Sequence, residues 1–157
     1  MIKTLLLILA VAVPASANQP EEAFEVLVDA FYAGDAQGVY DCLSAESTAM
    51  LGMMILMLKA QPAEAAAEIS QELGVEITTE DIMSWTPMDL IGMMLSAPGV
   101  RDELPPRGDI SVSGCEVNGD SCVVSFTVGD LPEPFELAMI RNGEDWKVDQ
   151  SVLQAEL

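Results

Sequence analysis

The chain has 157 residues, six Lys and Arg against 26 Asp and Glu, and a formal net charge of −20. That surface repels nucleic acid and anionic lipid, which removes those two partner classes. It has no His, so the commonest general base and the commonest zinc ligand are both missing, and there is no D-x-D-x-D-G calcium loop.

"MIKTLLLILAVAVPASA" has the three parts of a secretory signal: Lys3, an apolar run from Leu5 to Val13, and the small-residue site Ala15-Ser16-Ala17. Cleavage is expected between Ala17 and Asn18, giving a signal peptide over 1–17 and a single α+β domain over 18–157. The run is too short to span a bilayer, which takes about 20 residues, so no membrane span is expected in the mature chain. Asn18 stands where a lipid-anchored protein would carry Cys. These features point to a periplasmic or secreted bacterial protein.

Pro20 to Ala33 reads as a first helix, with Pro at its first position, Glu21 and Glu22 facing the helix dipole, and Phe24, Leu27, Val28 and Phe31 on one stripe. Gly34 ends it, and Asp35 caps a short helix carrying Val39, Tyr40, Cys42 and Leu43. A third helix is expected over about Ser47–Ala60, and an Ala-rich fourth runs from Pro62 to Leu73. Thr78-x-x-Asp81 and Thr86-x-x-Asp89 each start a further helix, with Asp in place of the usual Glu of a capping box. "APGVRDELPPRGD", residues 97–109, reads as a linker.

Beyond it the apolar period changes from helical to alternating. Strands are expected over about Ile110–Val117, Cys122–Val128, Phe135–Arg141 and Asp145–Val152, with hairpin signals at Asn118-Gly119 and Asn142-Gly143. The fold class is therefore α+β: N-terminal helices on an antiparallel sheet of about four strands (108–152), with a helical insertion at 45–97.

"AFEVLVDAFYAGDAQGVYDCLS", "NGDSCVVSF" and "MIRNGEDWKVDQSVL" together resemble the nuclear transport factor two-like (cystatin-like) superfamily, especially its small secreted bacterial members. The resemblance covers roughly residues 20–44 and 108–152. It implies early helices packed across a strongly curved sheet to form a cone. That superfamily hosts isomerases, dehydratases and binding modules. Its ketosteroid isomerase-like members set an acid opposite a Tyr, but Tyr32 and Tyr40 are the only tyrosines and face no evident acid, while Asp35 and Asp41 read as a cap and a solvated position.

Cys115 and Cys122 flank the Asn118-Gly119 turn, and a two-residue turn there would set them opposite each other, within disulfide reach. Simple alternation puts Ile110 and Val112 on the other face from Cys115; a bulge at Gly114 would remove the conflict. Separate buried thiols are the alternative. Cys42 is left as a packed thiol or as a partner for a strand Cys.

"MLGMMILMLK", residues 50–59, holds four of the ten methionines. Met50, Met53, Met54 and Met57 share a helical neighbourhood that Met93 and Met94 could face. Thioethers bind Cu(I), yet Leu51, Ile55, Leu56 and Leu58 serve no metal, and Met fills irregular cores and lines adaptable surfaces. The helix is expected to be buried between the sheet and the later helices, with these methionines and Trp85 as candidates for an apolar pocket or groove. The reading assigns no catalytic residue, cofactor or metal, and leaves the oligomeric state open. It points to an exported binding or accessory module for an apolar small molecule or hydrophobic protein segment. The alternative is a small isomerase- or hydrolase-type enzyme using a buried carboxylate in the cone.

Overall fold

A computed structural model describes residues 19–149; the expected cleavage site at Ala17 and Asn18 lies outside the described residues, as does the end of the expected last strand. Among the described residues the chain is α+β: seven helices, then one antiparallel sheet in the order β1-β2-β3-β4. The helices are α1 (Pro20–Ala33), α2 (Ala36–Asp41), α3 (Ala45–Ala60), α4 (Pro62–Leu73), α5 (Thr79–Ser84), α6 (Pro87–Ser96) and α7 (Pro98–Glu103). The strands are β1 (Ile110–Asn118), β2 (Ser121–Val128), β3 (Phe135–Asn142) and β4 (Asp145–Val148).

The helix starts follow their caps. Asp35 accepts from the Gly38 amide, and Ser44 accepts from the Ser47 amide. Thr78 with Asp81 and Thr86 with Asp89 form complete capping boxes, so the shorter Asp side chain does reach back to the cap amide. Gly34 closes α1 at φ 70°, a left-handed conformation that costs glycine little.

The stretch at residues 97–109 is more ordered than a linker. Pro98 occupies the first turn of α7, where its missing N–H is no loss, and Arg107–Asp109 makes a 3-10 turn. Arg101 donates to the Leu95 carbonyl, holding α7 to the end of α6. Arg107 pairs with Glu25 and, at 2.9 Å, with Asp29, which ties the end of this stretch to α1.

Both hairpin loops sit one residue later than the Asn-Gly signals suggest. Asn118 pairs with Ser121 and Asn142 with Asp145, leaving Gly119-Asp120 and Gly143-Glu144 as the loops. Gly119 and Gly143 take φ of 64° and 67°, while no non-glycine residue has positive φ among those described. Glycine at the first loop position followed by an ordinary residue fits a type II′ turn, whereas a type I′ turn needs positive φ at both. The expected opposition of Cys115 and Cys122 fails for this reason: Cys115 pairs with Val124, and Cys122 with Val117. The register does shift between Val112 and Gly114, so the bulge brings Ile110, Val112 and Cys115 to one face.

That face forms the main core. Ala23, Phe24 and Val28 of α1 pack with Cys122, Val124, Met139, Trp146 and Val148. A second cluster joins Ile55, Ala65, Ala66, Ile82, Trp85 and Leu90 across α3 to α6. Val39, Ile91 and Leu95 make a third, against which Leu27, Phe31 and Leu51 pack. It therefore links the helical insertion to α1.

The segment between α2 and α3 runs along the outer edge of β4. The Val148 amide donates to the Cys42 carbonyl and the Ser44 amide to the Val148 carbonyl, both at 2.8 Å, and Leu43 bridges Val148 in parallel. An edge that would otherwise offer open backbone groups is thus covered.

Candidate apolar binding cavity

A cavity of about 460 Å³ opens between α1, the α2–α3 segment, α6 and the inner face of the sheet. Phe24, Leu27, Val28 and Phe31, the α1 stripe legible in the sequence, form one wall together with Tyr32. Ile110, Phe126, Leu137 and Val148 supply the sheet wall. Val39, Leu43, Ser47, Leu51, Met54, Ile91, Met94 and Leu95 supply the helical wall, and Leu104 reaches in from beyond α7.

The aromatic end of the cavity is arranged in contact pairs. Phe24 and Phe126 have ring centroids 4.8 Å apart, and Phe126 stacks on Phe135 at 5.6 Å. Such pairs hold their rings in fixed relative orientation. Tyr32 lines the cavity but spends its hydroxyl on the Pro105 carbonyl, which anchors the segment carrying Leu104. Ser47 donates to the Val148 carbonyl at 3.1 Å and receives a hydrogen bond from the Ser44 hydroxyl. Both hydroxyls on the lining are therefore engaged with the protein.

Among the described residues that line the cavity there is no Asp or Glu. Among the described carboxyls, Asp81 and Asp89 are each held below the usual carboxylate range first by its Thr hydroxyl and then by the Thr amide. They are exposed capping groups. The two displaced acids belong to helix termini.

The methionines divide. Met54 and Met94 line the cavity; Met50, Met53, Met57 and Met93 do not, and neither does Trp85. Trp85 is buried in the core cluster of the helical insertion, and Met93 packs against that cluster. Met53 and Met57 are 65% and 73% exposed, and Leu56 is exposed as well. The expectation that α3 is buried between the sheet and the later helices is corrected here. The later helices cover the side holding Ile55, while the sheet is reached at the N-terminal end, through Ser44 and Ser47. A helix apolar all round has more apolar surface than one layer of neighbours can cover.

Sequence reasoning missed the sheet wall and Leu104. The strand alternation did carry Phe126 and Leu137, but which residues face a cavity rather than solid core depends on packing density, which periodicity does not encode. Comparison of the chain with protein-family models, curated proteins and solved structures finds no match.

Proposed function

We propose that this chain is an exported, non-enzymatic binding or accessory module whose cavity takes an uncharged, largely apolar small molecule or a hydrophobic protein segment. The observation that carries the reading is the 460 Å³ cavity with its apolar lining. Ligand sites commonly fall between about 300 and 1,000 Å³, mostly apolar with few polar groups. A water-filled cavity needs several polar partners per water, and this lining has two hydroxyls that are already bonded. The charge of −20 disfavours an anionic ligand.

α1 crosses the inner face of a four-stranded antiparallel sheet, which supports membership of the nuclear transport factor two-like superfamily and its cone architecture. The A-x-A site before Asn18 supports export to the periplasm or beyond.

Expression with the native N-terminal segment, followed by native mass spectrometry of the exported protein, tests both parts. The expected result is a chain beginning at Asn18 that carries an adduct extractable into organic solvent, or that binds the neutral probe N-phenyl-1-naphthylamine when stripped. A chain that begins at Met1 contradicts export, and one that neither carries an adduct nor binds the probe contradicts the binding reading.

A further inference from the structure

The β1–β2 hairpin carries two thiols that the cavity does not use. Cys115 and Cys122 are diagonal neighbours on the face turned toward α1, since Cys115 pairs with Val124 and Val117 with Cys122. Diagonal neighbours on one face of a twisted pair are near enough for side chains to meet. Here the two Sγ atoms lie 2.7 Å apart, both as free thiols, against a disulfide bond length of about 2.05 Å. The unbroken register from the turn, with Asn118 opposite Ser121, sets this relation, and the bulge after Val112 brings Ile110 and Val112 to the same face.

We propose that Cys115 and Cys122 form an oxidisable pair that closes to a disulfide across the hairpin by exchange with an external disulfide. Cys115 is half-buried and Cys122 only 2% exposed, so Cys115 is the sulfur an external reagent can reach. The Cys115 thiolate attacks one sulfur of the external disulfide, bonding to that half and releasing the other half as a thiolate. Cys122 then loses its proton and attacks Cys115 Sγ, forming the internal bond and releasing the second half. The two cysteines give up two electrons and two protons, and one external disulfide becomes two thiols. Burial, and then the neighbouring Cys115, pushes the Cys122 thiol up to about 12. That favours the order given, because the thiolate is the nucleophile.

Cys42 stands apart from this pair. It lies beside β4, while β1 and β2 are at the other side of the sheet. At about 4.8 Å per strand, Cys42 is separated from β2 by roughly 14 Å, twice the longest Cα separation a disulfide bridges. The bond would tie the edge strand β1 to β2, whose Cys122 belongs to the main core.

The test uses the purified full chain exposed to oxidised glutathione, quenched with N-ethylmaleimide and mapped without reduction. The expected product has lost the mass of two hydrogens, yields a Cys115–Cys122 linked peptide and is alkylated at Cys42 alone. Three alkylated cysteines, or a bridge containing Cys42, would overturn the proposal. In Cys122→Ala, checked for native circular dichroism, glutathione should remain attached at Cys115. In Cys115→Ala, Cys122 should react at least tenfold more slowly. Equal reaction at Cys122 would overturn the assigned order, and the wild-type map decides the pairing even where a variant fails to fold.

Discussion

Met54 of α3 and Met94 of α6 line the same cavity, yet each exposes about half its surface, 49% and 47%. Two helices of the insertion thus bring flexible thioether side chains to the boundary between cavity and solvent. Unbranched Met side chains change rotamer at low cost, so this boundary is the adaptable part of a site whose sheet wall is fixed by β-sheet hydrogen bonds. Replacing both residues with Val, shorter and stiffer at χ1, should change the rate of probe association more than protein stability. Stopped-flow fluorescence with N-phenyl-1-naphthylamine reads the first and thermal unfolding the second.

The exposed and buried sides of α3 should behave differently. Ile55 is 5% exposed within the insertion core, and Ile55→Ala should cost about 2–5 kcal/mol. Met57→Ser, at a position 73% exposed, should stay within about 0.5 kcal/mol of wild type. Urea denaturation of the two variants checks this. A large cost at Met57 would mean that the outer face of α3 is covered in the folded protein.

Gly38 sits where a side chain has no room. A Cβ there would lie 2.6 Å from Asp35 Oδ2 and 3.0 Å from Ala30 Cβ. Gly38→Ala would ordinarily favour a helix by up to about 1 kcal/mol, but here it displaces the carboxylate that caps α2. Loss of a cap costs about 1 kcal/mol, and separating α1 from α2 adds to it. The expected outcome is a lower urea midpoint than wild type; an unchanged or raised midpoint would show that the cap shifts freely.

The capping boxes set an acid-side dependence. Thr86 and its amide hold the Asp89 carboxyl below the usual range in the folded chain. A depressed folded value contributes stability that is fully present above the unfolded value of about 4 and lost as pH falls through the folded one. Asp89→Asn should therefore be less stable than wild type at pH 7, and the gap should narrow below about pH 4. Thermal melts across pH 2–7 test this, and a gap that widens on acidification would contradict it. Thr86→Ala, which removes the cap oxygen, should cost about 1 kcal/mol at neutral pH.

The α1 stripe, both capping boxes and four strands were all legible because each rests on local chemistry: spacing, a cap residue or a turn glycine. What the sequence did not determine was relational. Asn118-Gly119 marks a hairpin without saying whether Gly is its first or second loop residue, and that one-residue difference decides which residue faces Cys115. "MLGMMILMLK" has apolar residues on every side, so its periodicity selects no buried face. Neighbouring helices settled it by covering Ile55 and leaving Met53 and Met57 outside. The Pro and charge of residues 97–109 read as a linker, but Pro is equally at home in the first turn of a helix, where Pro98 sits.

A fluorescence titration of N-phenyl-1-naphthylamine into wild type and Leu51→Trp asks whether the cavity is a binding site. Leu51 is on the helical wall, and the larger ring occupies the space a ligand needs. Wild type should bind saturably and the variant at least tenfold more weakly, with the two proteins giving matching circular dichroism. Equal binding by both, or no saturable binding by wild type, would contradict the binding reading.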